Sequence, residues 1–263
     1  MKTIAIGSGK GGVGKSSISA LIAYALKQLG YSVGLMDADI FGPSVPHILG
    51  IVDGVVSEND LIQPVYVDGI ATLSVGNMCD PNSAIIWRGP LIHNMLDQML
   101  NHTNWSDESG KKLDYLIIDM PPGTGDVPIS LNQLTTLNGS VVVCTPQKVA
   151  LIDAVRAVNM TEKMESPLLG VIENMSYFLC DGCNKKHDIF GSGGVKAYAQ
   201  EKNLPFLGDV PFSPEIRKNA DEGTLFAAAK NPVIAECFTQ IAKKLIEQIQ
   251  LHPVMPKLNM AGN

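Results

Sequence analysis

The run Gly9-Lys-Gly-Gly-Val-Gly-Lys-Ser16 constrains this chain more than any other stretch. It fits the spacing G-x-x-x-x-G-K-[ST], and its chemistry works in one setting. Closely spaced glycines let successive backbone N–H groups turn inward around a phosphate. Such a loop needs a strand to deliver it and a helix to carry the chain away. The flanks supply both. Ile4 to Ile6 is a short apolar run, and Ile18, Leu21, Ile22, Ala25, Leu26 and Leu29 recur at helical spacing before Gly30 stops the helix. Lys15 is then placed to reach the β- and γ-phosphates of a nucleotide, and the Ser16 hydroxyl to ligate Mg²⁺.

The rest of the chain repeats this alternation. Val33 to Met36, Ile70 to Val75, Tyr115 to Ile118, Val141 to Cys144, Leu169 to Ile172 and Phe206 to Val210 read as strands. Helical patterns lie near 89–100, 126–136, 149–164, 193–202 and 231–250. Continuous apolar strands between helices predict an α/β fold with a doubly wound, mostly parallel sheet. The segment 52–113 is less regular. No linker divides the chain, so residues 1–251 are expected to form one ATPase domain, with 252–263 a mobile tail. With 263 residues and 45% hydrophobic content the chain can bury a large core without disulfide staples. The net charge of −6 disfavours a general binder of nucleic-acid backbone.

Two acidic stations fit the same nucleotide chemistry. Asp119 closes the strand Leu116-Ile-Ile-Asp119, where a carboxylate meets Mg²⁺ through water, and Met120-Pro-Pro-Gly-Thr-Gly125 suits a loop that senses the γ-phosphate. Asp37-Ala-Asp39 ends the second strand, at the edge where open α/β sheets bind ligands. Asp39 is the better candidate to orient an attacking water, while Asp37 is a candidate support for lysine or Mg²⁺. Either aspartate alone also reads as a helix cap or turn residue. Lys10, inside the loop, reads either as charge balance or as a residue that reaches a nucleotide held by a second subunit.

The five cysteines are an odd number in a long chain, which excludes a secreted disulfide framework. The N-terminus has no signal-peptide pattern and no stretch approaches 18 apolar residues, so a cytoplasmic location and no membrane contact are expected. Cys180-Asp-Gly-Cys183 sits in a loop spanning 177–190. Two thiolates at this spacing hold one metal or cluster, yet a closed site wants four. Cys144 and Cys237 fall in apolar stripes and Cys79 in an irregular loop. The arithmetic points to a homodimer donating two cysteines from each protomer. A zinc site recruiting His187 and a redox pair stay open beside it.

The loop form Gly-Lys-Gly-Gly-x-Gly-Lys-Ser resembles the deviant Walker A class of dimeric ATPases, which includes MinD, ParA, arsenite-pump ATPases and the nitrogenase iron protein. Further segments are Leu35-Met-Asp-Ala-Asp-Ile-Phe-Gly-Pro-Ser44, Ile86-Trp-Arg-Gly-Pro90, Asp114-Tyr-Leu-Ile-Ile-Asp-Met-Pro-Pro-Gly-Thr-Gly-Asp126, Glu173-Asn-Met-Ser-Tyr-Phe-Leu-Cys180 and Asp188-Ile-Phe-Gly191. Of these, Asp-Ile-Phe-Gly-Pro-Ser, Trp-Arg-Gly-Pro and Asn-Met-Ser-Tyr-Phe-x-Cys-x-x-Cys are together specific. With these, nearly the whole chain resembles the Mrp/ApbC family of iron–sulfur cluster carrier ATPases. The resemblance implies a slow ATPase holding a bridging 4Fe–4S cluster on Cys180 and Cys183 of two protomers, with a cluster donor and apo-protein acceptors as partners. It implies ATP contacts from Gly9, Lys10, Gly11, Gly12, Val13, Gly14, Lys15, Ser16 and Ser17, with Asn174 and the loop around Pro211 at the adenine. Departures are Ser17, where threonine is commoner, and Asp181, Gly182 and Asn184 around the cysteines. The rival readings are a MinD- or ParA-type positioning ATPase, a zinc-binding regulatory ATPase, and a reductase like the nitrogenase iron protein. A MinD-type protein would turn the stripe Ile234, Phe238, Ile241, Leu245 and Ile249 toward a membrane, but its flanking charges favour a core helix.

Overall fold

A computed structural model describes residues 1–78, 88–123, 125–147, 155–159, 161, 166–180, 182–183 and 185–254. Cys79, Ile86 and Trp87, Thr124, Asp181, Asn184, most of the helical pattern at 149–164 and the tail beyond 254 lie outside them. The strands are β1 (Lys2–Gly7), β2 (Val33–Asp37), β3 (Val56–Glu58), β4 (Leu61–Gln63), β5 (Val65–Val67), β6 (Ile70–Ser74), β7 (Tyr115–Asp119), β8 (Gly139–Cys144), β9 (Leu168–Glu173), β10 (Phe178–Leu179), β11 (Lys186–His187) and β12 (Phe206–Asp209). The helices are α1 (Lys15–Gln28), α2 (Val45–Leu49), α3 (Val75–Met78), α4 (Gly89–Asn101), α5 (Asp126–Leu134), α6 (Gly194–Glu201), α7 (Pro214–Asp221) and α8 (Pro232–Leu251), with a 3₁₀ turn at Leu225–Lys230.

Among the described residues the main sheet has eight strands in the order β12-β9-β8-β1-β7-β2-β6-β5. Neighbours are parallel except β5, which runs antiparallel to β6 at one edge. The doubly wound reading of the sequence holds. The period of two along each strand builds the two faces. Ile4 and Ile6 of β1, Val33 and Leu35 of β2, Tyr115 and Ile117 of β7, and Val141 and Val143 of β8 pack with α1 and α8. Ala5, Met36, Leu116 and Ile118 turn the other way onto α4 and α5, and Val142, Cys144 and Val171 onto α6.

The α8 stripe Ile234, Phe238, Ile241, Leu245 and Ile249 is buried in the first of these layers. Each such side chain contributes about 1.5–3 kcal/mol on burial, so this helix is committed to the core rather than to a membrane surface. No helix among the described residues is long and apolar enough to cross a membrane. The irregular segment 52–113 contains the β3–β4 hairpin, the edge strand β5 and helix α4.

Strand order fixes where a ligand can sit. From β1 the chain passes through α1 to β2, leaving a gap that β7 later fills, while β8 joins β1 on its opposite side. The connections around β1 therefore leave in both directions. The crevice beyond its carboxyl end is the ligand position of an open α/β sheet.

Candidate functional site

The glycine-rich loop occupies that crevice. Gly12 and Gly14 hold φ of +77° and +80°, a left-handed backbone that side chains resist, and Gly14 is the N-cap of α1. The turn has no room at Gly14 for another reason. A Cβ there would overlap the side-chain amide of Asn174. That amide donates to Val13 O at 2.8 Å, so the end of β9 holds the loop from across the sheet. The loop is also pinned from behind, where Ser8 O accepts from Gly123 N at 2.9 Å and the Ser8 hydroxyl donates to Lys10 O at 3.0 Å. Lys10 itself is exposed.

Register brings the acids to the loop. Ile6, Asp119 and Asp37 align across β1, β7 and β2, and Ser74 of β6 aligns next to Asp37. Lys15 Nζ lies 2.8 Å from Asp119 Oδ2, with the side chains only 6% and 0% exposed, and 3.4 Å from Ser16 Oγ. Asp119 Oδ1 accepts from the Ser19 hydroxyl at 2.7 Å. Ser19 escaped the sequence reading, although a residue four positions after Lys15 lies on the same helix face. Among the described residues Asp119 Oδ2 meets no hydrogen-bond donor besides the Lys15 ammonium. A buried acid oxygen with one cationic neighbour, a hydroxyl at Ser16 and a left-handed glycine turn are the donor set that a polyphosphate with a divalent cation needs. The residues present fit that ligand.

Asp37 and Asp39 divide their roles. Asp37 is fully buried, and its Oδ2 accepts from Ser44 N and Val45 N at 3.1 Å and from the Ser74 hydroxyl at 3.0 Å, while Oδ1 accepts from Asp39 N at 3.1 Å. It thereby ties the turn that carries Asp39 to the strand edge. Burial, and then the charge of Asp119, push its carboxyl up to about 7. Asp39 is partly exposed, accepts from Gly42 N at 3.2 Å, and is also raised by burial, with Lys15 opposing.

Asn174 and the loop around Pro211 lie together beyond β9 and β12. Ser176 N donates to Val210 O at 3.0 Å and Phe212 N to Tyr177 O at 2.7 Å, and Pro211 between them is buried. Just before Asn174, the buried Glu173 carboxylate accepts from the Ser176 hydroxyl at 2.5 Å, Gly193 N at 2.9 Å and Val195 N at 2.8 Å. The last two are at the N-terminus of α6, whose own cap is a glycine with no side chain to offer. Glu173 therefore clasps both ends of the segment 174–193. It stood in the sequence only as part of a family motif.

The cysteine pair rides on that segment. β10 and β11 pair antiparallel, and Cys180 N closes the hairpin onto Lys185 O at 3.0 Å. Ligand atoms of Cys180, Cys183 and His187 all lie within 4.8 Å of one another. Phe190 meets Phe212 edge-on at 5.8 Å, docking the hairpin beside the Pro211 loop. Cys144 and Cys237 are elsewhere. Burial, with the nearby charges of Glu173 and Asp209 respectively, pushes each thiol up to about 12.

Residues 1–246 match the ParA-type family of NUBPL iron-transfer P-loop NTPases. The chain belongs to this family. It is 43% identical over 250 residues to an iron-sulfur cluster carrier protein of Haemophilus influenzae, a match that covers 94% of this chain and 66% of that one. The chain thus spans about two thirds of that relative's length. Among solved structures it is similar to a nucleotide-binding protein of Archaeoglobus fulgidus in complex with ADP and with cobalt found in it. The TM-score is 0.75 at 34% identity, covering 90% of this chain and 91% of that one. The fold alone is shared with the MinD of Pyrococcus horikoshii in complex with Mg-ADP, at TM-score 0.67 and 19% identity over 97% of this chain and 99% of that one. Members of this family pair a phosphate loop with iron transfer, and both the loop and a thiol pair are present here.

Proposed function

We propose that this chain is a cytoplasmic ATPase of slow turnover that carries a 4Fe–4S cluster between two protomers and passes it to apo-proteins. Lys15 and the loop amides from Gly9 to Ser17 bind the triphosphate, with Asn174 and Pro211 toward the base. Ser16 and Asp119 would hold Mg²⁺, which would supply charge neutralisation at the phosphates. Asp39 orients the attacking water, Asp37 holds the turn that carries it, and Lys10 reaches the nucleotide of the other protomer. Cys180 and Cys183 of each protomer supply four thiolates to the cargo. Residues 1–251 act as one unit, and neither nucleic acid nor membrane is a partner.

The observation that carries this reading is covalent. Asn174, which holds the phosphate loop, is separated from Cys180 by five residues and is clasped to the far end of the same segment by Glu173. Nucleotide and cargo sites therefore share one strut. The test is anaerobic reconstitution with iron and sulfide, followed by transfer to an apo-ferredoxin acceptor. About four iron atoms per dimer are expected. Cys180→Ala removes them and leaves ATP binding intact, and Lys15→Ala does the reverse. A protein that takes up zinc alone, or a cluster that never leaves, would overturn the proposal.

A further inference from the structure

The cluster reading uses two residues of the hairpin and leaves His187 without a role. The hairpin's register gives it one. Phe178 and His187 are direct partners across the β10–β11 ladder. Directly opposite residues share a face, and so do residues two apart on one strand. His187 and Cys180 are therefore on the same face, and the turn at 182–183 brings Cys183 back over it. Lys186 alternates to the other face, where its ammonium sits 3.9 Å from the centre of the Tyr177 ring. Lys186 is thus held on the Tyr177 face by a cation–π contact, while Lys185, whose carbonyl accepts from Cys180 N, is the cation opposite Cys180.

From this arrangement we infer that Cys180, Cys183 and His187 form a Cys₂His site for a single zinc-class divalent ion, complete within one protomer. Thiolates at about 2.3 Å and an imidazole nitrogen at about 2.0–2.1 Å from one tetrahedral ion stand roughly 3.5–3.8 Å from one another. The ligand atoms already lie within 4.8 Å, so small side-chain rotations close the site. Two soft thiolates with an imidazole suit zinc, and exclude the oxygen-preferring Mg²⁺ and Ca²⁺. Cys183 and His187 are exposed, and three protein donors leave a fourth position to water. The ion is accordingly exchangeable rather than structural. Binding releases the two thiol protons to solvent and involves no change of oxidation state. The same two thiolates cannot serve a bridging cluster at the same time. A protomer loaded with zinc is therefore closed to cluster assembly, which makes this site a competitor of the cargo.

The test uses the full chain, freed of metal under anaerobic conditions and titrated with Co²⁺ followed by Zn²⁺. One Co²⁺ per protomer is expected, with sulfur-to-cobalt charge-transfer bands and intense tetrahedral ligand-field bands, all abolished by Zn²⁺. His187→Ala should weaken Co²⁺ at least tenfold and shift the ligand-field bands, while ATP binding shows that the variant is folded. Zinc added before iron and sulfide should block cluster reconstitution in the wild-type protein and lose that block in His187→Ala. Unchanged Co²⁺ affinity and spectrum in His187→Ala, or one ion per dimer held by four thiolates, would overturn the inference while leaving the cluster proposal untouched. Conversely, a wild-type chain that binds Co²⁺ as described yet never assembles a cluster sinks the carrier proposal and leaves this site standing.

Discussion

Replacing Glu173 by glutamine tests the clasp on which the whole segment 174–193 depends. The change keeps size and shape but turns one acceptor oxygen into a donor NH₂. If the amide nitrogen takes the Oε2 position it confronts Val195 N, now 2.8 Å from an acceptor. If it takes the Oε1 position it confronts Gly193 N, now at 2.9 Å, and the Ser176 hydroxyl must turn round. Either way one buried N–H loses its acceptor, at about 1–3 kcal/mol. The helix α6 also loses a negative charge at its N-terminus, worth about 0.3–1 kcal/mol and up to about 2 in a buried setting. Glu173→Gln should therefore lower unfolding free energy by about 2–4 kcal/mol in urea titration. Glu236→Gln, on the exposed side of α8, should stay within about 0.5 kcal/mol. A Glu173→Gln protein as stable as that control would refute the clasp.

Three further outcomes follow from the same geometry. Gly14→Ala should cost about 1–2 kcal/mol for the left-handed backbone alone. By pushing Asn174 off Val13 O it should also weaken ATP at least tenfold in equilibrium dialysis, and undiminished affinity would contradict the packing described here. Lys15→Ala leaves Asp119 buried without its cation, which should destabilise the protein by about 3–5 kcal/mol by thermal or chemical unfolding as well as abolish ATP binding; an unchanged unfolding midpoint would argue against the ion pair. With thiols pushed up to about 12, Cys144 and Cys237 are about one part in 10⁴ thiolate at pH 8 and gain reactivity only as pH rises further. Iodoacetamide at pH 8, read by peptide mass mapping, should leave both unmodified while Cys183 reacts. Equal labelling of Cys237 and Cys183 would be the contrary result.

The elements legible in the sequence are those whose signal is local. The strand–loop–helix around Gly9 to Ser16 carries its own turn chemistry, and the apolar strands around Leu116 and Val142 are short runs that fit nothing else. What escaped either had no buried stripe to announce it or depended on residues far apart in the chain. The Ser213-Pro-Glu start of α7 is a capping signature, with Ser213 Oγ accepting from Ile216 N at 3.3 Å, but no buried stripe follows it to announce a helix. Ser19 looked like any helix serine until β7 placed Asp119 against it. Glu173 ends an apolar strand, where an acid reads as a simple boundary, because its partners at 193 and 195 are twenty residues away. His187 entered the sequence reading only as an optional zinc ligand, since the hairpin register that puts it on the face of Cys180 cannot be read from spacing.

The strut between the two sites also limits how strongly they can influence one another inside one protomer. Among the described residues its hydrogen-bonded link to the phosphate loop is a single neutral bond, from the Asn174 amide to Val13 O. Such a bond contributes about 1 kcal/mol net. A ligand that drew the Val13–Gly14 backbone away from Asn174 could therefore shift the affinity of the hairpin for its cargo by about fivefold through this path, since a coupling cannot exceed the differential free energy that drives it. The far end is held by two hydrogen bonds, from Gly193 N and Val195 N to the Glu173 carboxylate. The near end is held as well, by Asn174 N to Cys144 O at 2.7 Å, Ser176 N to Val210 O at 3.0 Å and the Ser176 hydroxyl to Glu173. The segment is thus anchored at both ends, and motion at the phosphate loop bends it rather than releases it. A nucleotide effect on cluster retention of a hundredfold or more is beyond what this contact can transmit. On the proposed homodimer an effect of that size has to be carried by contacts between protomers, and it should vanish in any variant that binds ATP but stays monomeric.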